Sequence, residues 1–122
     1  MDSKYQIPKL GEQLGFNVNN SVGLNSFGVL WINTPSSGSG QACSSRLDEG
    51  VCVRMEVDHD STPRTVQFFV NGEAGRYSVS GIPSSVRIGF SASHAGTSFR
   101  IDNIFRLSRP TPISDGMYEV IW

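Results

Sequence analysis

Two acidic residues flank a histidine at one point of the chain, an arrangement that in other settings binds a metal ion or transfers protons. The residues are Asp58, His59 and Asp60, and His94 is the second of two histidines. Consecutive residues on a turn point in different directions, whereas metal sites draw converging ligands from several structural elements. The sequence therefore predicts a solvated turn in which Asp58 accepts hydrogen bonds from its own backbone, and no metal site.

The residue types that nucleophilic catalysis needs are present but form no motif. A Ser-His-Asp or Cys-His site requires groups that the fold brings together, and serine is too abundant here to be informative. Cys43 and Cys52 stand in no reactive motif, and we expect unpaired structural thiols, with a short-loop disulfide as the alternative in an oxidising compartment. Gly38-Ser39-Gly40 lacks the lysine and the helix start of a phosphate-binding loop. The sequence predicts neither an enzyme nor a bound cofactor.

Length and charge narrow the choice of function further. A chain of 122 residues has the size of one domain, so we expect residues 1–122 to form a single unit. Ten basic and eleven acidic side chains are mixed along the chain, which gives a net charge of −1 and no basic patch for nucleic acid. No apolar run approaches the roughly 20 residues of a membrane span, and no signal peptide is visible. We expect a cytosolic protein with neither a membrane nor a nucleic acid as partner.

The clearest structural signal lies in the middle of the chain. Apolar and polar residues alternate over residues 51–58, which is typical of a strand with one buried face. A polar turn leads to a second strand at residues 65–70, rich in β-branched and aromatic residues. Asn71-Gly72 is the dipeptide that best tolerates a tight hairpin turn, and residues 76–79 are the expected return strand. These elements predict an antiparallel meander.

Other segments carry weaker strand patterns. The further predicted strands are residues 21–24, 28–32, 86–92, 98–107 and 117–122. The first two of these pair as a hairpin around residues 25–27. Residues 7–18 and the Ser/Gly-rich residues 34–40 are predicted loops, the second of them flexible by composition. Short strands with turn signals roughly every ten residues are typical of a sandwich or barrel.

The middle of the chain resembles the SPRY (B30.2-type) domain family. The family's central signature is a strand ending in an acidic turn, then an aromatic-rich strand and an Asn-Gly turn, and it is matched here by residues 53–58 and 65–72. Ser26-Phe27-Gly28 stands where the family often carries a Ser-aromatic-Gly step. Residues 86–90 take the position of a late core strand, so the resemblance covers about residues 20–107.

The resemblance implies an all-β, antiparallel two-sheet sandwich of the concanavalin-like SPRY type. It also implies a protein-interaction module that binds a protein or peptide through variable loops at one end and has no catalytic residues. Family members begin with strands that nothing before Ser21 matches, so the resemblance implies a partial domain with an open sheet edge. Such an edge can pair with another chain, so we also predict that a homo-oligomer can form through it.

The loops and their neighbours supply a predicted partner-binding surface. Its loops are the Ser26-Phe27 turn, residues 35–41 and the turns at residues 58–64 and 93–96. Its candidate residues are Ser26, Phe27, Arg46, Asp58, Arg64, Tyr77 and His94. Aromatic and arginine side chains are typical anchors of protein interfaces. We expect Trp31 to lie in the core, the commoner place for a large apolar side chain, whereas Phe27 suits the core and a binding surface equally well.

A carbohydrate-binding domain is the alternative function, because lectins share the sandwich architecture. Asn25, Phe27 and Trp31 are near one another in sequence and would offer a platform for a sugar ring, while Asp58 and Asp60 would offer oxygen ligands. The chain has no calcium-loop spacing, so this alternative depends on similarity of fold alone.

Overall fold

A computed structural model describes residues 19–35, 37–90 and 98–122, and these residues form seven β-strands and no helix. The strands are β1 (Ser21–Leu24), β2 (Val29–Thr34), β3 (Ser37–Ala42), β4 (Val53–Asp58), β5 (Thr65–Val70), β6 (Glu73–Ser80) and β7 (Tyr118–Ile121). One sheet has the order β1-β2-β3 and the other β4-β5-β6-β7. All neighbours are antiparallel except β6 and β7, which are parallel. The predicted all-β fold with two sheets is confirmed, and no helix in the described ranges could span a bilayer.

The core lies between the two sheets and is built by alternation along the strands. Leu30 and Ile32 of β2 point inward and are almost completely buried, as is Val79 of β6. Val66 and Phe68 of β5 belong to the same buried cluster. Burying a side chain of this size contributes roughly 1.5–3 kcal/mol, so this cluster is the main force that holds the sheets together.

The predicted hairpin at the start of the described chain is confirmed as β1 and β2. The side-chain Oδ1 of Asn25 accepts hydrogen bonds from the backbone N–H groups of Phe27 and Val29, both at 3.0 Å. Gly28 completes the turn with a φ of 78°, and a Cβ at this position would overlap the Ser44 carbonyl oxygen. Glycine is therefore required here both for its backbone angle and for the close approach of the next loop.

The prediction that residues 34–40 form a flexible loop is wrong, because most of them belong to β3. Trp31 pairs across the sheet with Gly40, and a Cβ on Gly40 would lie only 2.8 Å from carbon atoms of the indole ring. The glycine thus leaves room for the ring on the outer face of the sheet. Trp31 is half-buried on that face, so its predicted place in the core is also wrong; Leu30 and Ile32 take the inward positions.

The predicted meander is confirmed as β4, β5 and β6. Its second turn has positive φ angles at Asn71 (49°) and Gly72 (83°), as a tight hairpin turn requires. The first turn is stabilised by Asp58, whose Oδ1 accepts hydrogen bonds from the N–H groups of Asp60 and Ser61, both at 3.1 Å. The buried stripe of β4 is shorter than predicted: Met55 and Val57 pack on the core, but Val53 is 43% exposed because β4 is an edge strand.

Strand β5 is also buried on its outer face, beneath the segment that leads to β7. Thr111 crosses this face and accepts a hydrogen bond from Nε2 of Gln67 at 2.8 Å through its carbonyl oxygen. The Thr111 hydroxyl and N–H donate to the Glu56 carboxylate at 2.7 and 3.2 Å. The same segment ends in β7, which confirms the short strand predicted near the C-terminus.

Two predicted strands do not form in the described parts of their segments. Residues 86–90 and 98–107 are irregular and exposed, although their sequences alternate as strands do. Alternation specifies which side chains share a face, but a strand also needs a hydrogen-bonded neighbour, and no described strand pairs with these segments. The predicted loop at residues 7–18 and the end of the predicted strand at residues 91–92 lie outside the described residues.

Replacing Gly40 by Ala tests the assignment of β3. We expect Gly40→Ala to lower the free energy of unfolding by about 1–3 kcal/mol, because the new methyl group displaces the Trp31 indole. Gly38→Ala is the matched control in the same strand, since a Cβ there meets nothing within 4 Å and is expected to raise stability by up to about 1 kcal/mol. Urea unfolding followed by tryptophan fluorescence measures both, and equal effects would contradict the assignment.

Candidate functional site

An exposed aromatic side chain stands beside an arginine at the tip of the β1–β2 hairpin. Phe27 is 62% exposed, and the Arg46 guanidinium carbon lies 5.0 Å from the centre of its ring. Arg46 also contacts Asp48, with 3.6 Å between Nε and Oδ1. We call Ser26, Phe27, Arg46 and Asp48 the Phe27 surface. A cation over an exposed ring contributes roughly 0.5–1 kcal/mol, enough to bias the arrangement of the two side chains.

Backbone hydrogen bonds attach the loop that carries Arg46 to the turn that carries Phe27. The N–H of Leu47 donates to the Ser26 carbonyl oxygen at 2.8 Å. The N–H groups of Cys43 and Ser44 both donate to the Gly28 carbonyl oxygen, at 2.9 and 3.0 Å. With the Asn25 side chain holding the turn itself, the backbone beneath the Phe27 surface is fixed before any partner arrives.

The structure brings Ser26, Phe27 and Arg46 together but places Asp58 and Arg64 elsewhere. The loop with Arg46 leads into the start of β4, where the Asn71 N–H donates to the Cys52 carbonyl oxygen at 2.9 Å. Asp58 is the last residue of β4 and pairs with Thr65, so it lies at the opposite end of the strand. Six residues of strand separate the two ends by roughly 17 Å. These five predicted residues therefore occupy two surfaces.

The turn at residues 59–64 forms a small surface of its own. Asp58 is occupied in holding the turn, and the Arg64 carbonyl oxygen accepts a hydrogen bond from the Gly81 N–H at 2.8 Å. Asp60 approaches Arg106 at 4.0 Å, but both side chains are more than nine-tenths exposed. An ion pair in water at this distance contributes little, so the turn offers solvated charges and no preorganised site.

Tyr77 lies in a groove between the sheets. Its hydroxyl donates to Oε1 of Gln41 at 3.3 Å, and its ring centre is 5.3 Å from that of Tyr118. Ser37 and Ser39 continue the polar lining along β3, in a groove of about 340 Å³. Gln41 ends the stretch of residues 35–41 that the sequence suggested as part of the partner-binding surface, but the structure places Gln41 in β3, where its side chain accepts the Tyr77 hydrogen bond.

The described part of the chain contains no group of residues arranged to bind a metal ion or to perform thiol chemistry. No three His, Cys, Asp or Glu side chains there are grouped as metal ligands are. Cys43 is buried and Cys52 is exposed, and the two are separate thiols. The Cys43 thiol donates to the Tyr77 carbonyl oxygen at 3.9 Å, which is a structural role. His94 and the predicted turn at residues 93–96 lie outside the described residues.

Comparisons of this chain with protein-family models, with curated proteins and with solved structures find no match.

The Asn25 side chain, which holds the turn, and the Phe27 ring, which the turn carries, differ in what they contribute to folding, and substitution separates the two contributions. We expect Asn25→Ala to lower the free energy of unfolding by about 1–2 kcal/mol, because two backbone N–H groups lose their acceptor. Phe27→Ala is expected to change it by less than about 0.5 kcal/mol, because the ring is exposed. Thermal and urea unfolding test both, and a large loss with Phe27→Ala would show that the ring serves the fold instead.

Proposed function

We propose that this chain is a non-catalytic protein-interaction module of the SPRY type, which binds a peptide or protein surface through the Phe27 surface. The observation that supports this most directly is an exposed phenylalanine in contact with an arginine on a hydrogen-bonded turn. In the part of the chain that the structure describes, the buried core cluster does not include this ring. Single exposed apolar side chains are common on protein surfaces, and what sets Phe27 apart is its contact with Arg46 on a hydrogen-bonded turn.

The physical basis of the proposed affinity is preorganisation. The turn is closed by Asn25, and the neighbouring loop is attached to it by the Leu47–Ser26 hydrogen bond. A partner therefore needs to order little backbone when it covers the phenylalanine. Arginine and aromatic side chains are enriched among residues that carry binding energy, and here one of each is placed in contact. The chemistry suits a partner with an apolar side chain next to a carboxylate.

The assignment to the SPRY type is supported by the strand–turn–strand unit. Residues 53–58 and 65–72 form the two strands and the Asn-Gly turn that the resemblance requires, and two sheets face each other as in a concanavalin-like sandwich. Residues 86–90, which resemble a late core strand of the family, are irregular in the structure. The proposal therefore depends on the residues of β4 and β5.

The proposal extends to partners and location. Strands β1 and β3 are the edges of one sheet and β4 and β7 of the other in the described structure, and we propose that such an open edge can pair with a second copy of the chain. Neither a nucleic acid nor a membrane is among the proposed partners. The proposed location is the cytosol, where thiols such as the exposed Cys52 stay reduced.

Carbohydrate binding is the competing proposal, and the geometry gives it less support. Asn25 and Phe27 lie at the hairpin tip, whereas Asp58 and Asp60 lie at the far end of β4, so one sugar could not contact both pairs. Trp31 lies on the outer face of the three-stranded sheet, over Gly40. The residues considered for a sugar site thus do not converge.

Peptide selection on the immobilised chain tests the proposed surface. We expect short peptides selected from a displayed random library to lose about tenfold or more in affinity on Phe27→Ala, and to weaken on Arg46→Ala, because these side chains supply the contact. Tyr118→Ala is the matched control, since Tyr118 is an aromatic residue of similar exposure at a different site. Binding is measured by fluorescence anisotropy with each purified variant.

Two results would contradict the proposal. One is peptide binding that is unchanged by Phe27→Ala and Arg46→Ala. The other is strong retention on a glycan panel that a chelator abolishes, which would favour the carbohydrate-binding alternative.

A further inference from the structure

Residues 86–90 and 98–107 carry a run of exposed apolar side chains that do not pack into the core. We call these residues the apolar strip. Seven of its large apolar residues are between 41% and 83% exposed. They are Ile88, Phe90, Phe99, Ile101, Ile104, Phe105 and Leu107. The Phe90 and Phe99 rings stack with their centres 4.2 Å apart, so the two segments lie side by side at that point. Extended apolar exposure on this scale marks interaction sites in soluble proteins.

Among the described residues, the backbone of the apolar strip also has no hydrogen-bond partner. No backbone hydrogen bond joins residues 86–90 or 98–107 to another described residue. The sequence nevertheless alternates as a strand does, with Phe99 and Ile101 separated by Arg100. Apolar alternation together with unused N–H and C=O groups is what a strand presents before its neighbour is added, because the neighbour supplies both the ladder and the apolar cover.

Charge gives the chemistry of that neighbour. The apolar strip and the two residues that follow it contain Arg87, Arg100, Arg106 and Arg109 against the single carboxylate of Asp102, a net charge of +3 in a chain whose net charge is −1. Asp102 is already paired with Arg100 at 2.6 Å. Within the described structure, Arg87 and Arg109 contact no carboxylate. A neighbour that places acidic side chains among apolar ones would complement this pattern.

We propose that the apolar strip binds an extended segment of a partner protein in which acidic and apolar residues alternate, and that this segment adds to it as a β-strand. The apolar side chains of the partner cover Phe99 and Ile101, its carboxylates meet the arginines, and its backbone completes the ladder. This surface is separate from the Phe27 surface, so the two proposals stand or fall independently.

Two other occupants satisfy these observations less well. A second copy that laid its own apolar strip on this one would bring a net charge of +3 against a net charge of +3. An anionic membrane would match the arginines, but lipid offers no partner to the unpaired backbone groups of an irregular segment. An acidic strand satisfies the side chains, the charges and the backbone together.

The test uses the whole chain and labelled synthetic peptides in which Glu alternates with Val, Ile or Phe, with Lys replacing Glu in the control set. We expect the chain to bind the acidic peptides and not the basic ones, with affinity falling as salt rises. The double variant Phe99→Ser with Ile101→Ser should weaken binding about tenfold or more. A second double variant, Arg87→Glu with Arg109→Glu, should do the same while leaving the apolar residues in place. Isotope-edited infrared spectra of the bound peptide should show β-strand carbonyl bands.

The matched control is Ile121→Ser, which removes an equally exposed isoleucine from β7 and should leave peptide binding unchanged. Phe27→Ala should also leave it unchanged, which separates this proposal from the one above. The substituted residues are exposed, so unfolding curves should match those of the parent chain.

Four results would overturn the proposal. The first is an absence of binding to the acidic peptides, and the second is equal binding of acidic and basic ones. The third is binding to vesicles of phosphatidylcholine and phosphatidylserine that the Phe99→Ser/Ile101→Ser variant abolishes, with no peptide binding, which would identify a membrane. The fourth is a dimer in sedimentation experiments that the same variant dissociates, which would identify a second copy.

Discussion

The constraint on which the molecule depends is the burial of β5 on both faces. Its inward residues Val66 and Phe68 meet the three-stranded sheet, and its outward residues Gln67 and Phe69 are equally buried. The outer cover consists of Thr111, which binds Glu56 and Gln67, and of the Arg54 guanidinium, 4.0 Å from the centre of the Phe69 ring. The four-stranded sheet therefore has an apolar face that packs on the other sheet and a polar face that is covered through hydrogen bonds. Both faces must be covered for β5 to be buried.

The polar contacts on the outer face of β5 are stable because each buried charge has a partner. The Glu56 side chain is only 11% exposed, and its carboxylate is matched by the Thr111 hydroxyl and the Arg54 guanidinium. A carboxylate at this depth loses hydration, and the surrounding donors replace it. The crossing segment around Thr111 is therefore fixed where it passes over β5, which in turn sets where β7 can begin.

Local chemistry was readable from the sequence, and nonlocal pairing was not. The turns at Asn71-Gly72 and Asp58 form as expected, because each is determined by the residues of the turn itself. Strand β3 escaped prediction because its glycines suggest freedom, whereas Gly40 is required by an indole from another strand. Residues 98–107 were predicted as a strand for the opposite reason. Their alternation suits a strand, but the sequence of a segment does not show whether another strand lies beside it to form the hydrogen bonds. The same limit applies to the site. The sequence identified Phe27, Arg46 and Asp58 as separate candidates, but only the pairing of the strands shows that Asp58 lies at the opposite end of β4 from the other two.

The contrast between the two cysteines has a practical consequence. Cys43 is 1% exposed and lies where a Cβ on Gly75 would overlap its sulfur, so reagents cannot reach it while the sheets stay together. Cys52 is exposed at the entrance to β4, close to the Asn71 turn. A maleimide dye added to the native chain would thus attach at Cys52 alone, beside the turn between β5 and β6. Labelling of Cys43 would therefore report when the two sheets separate.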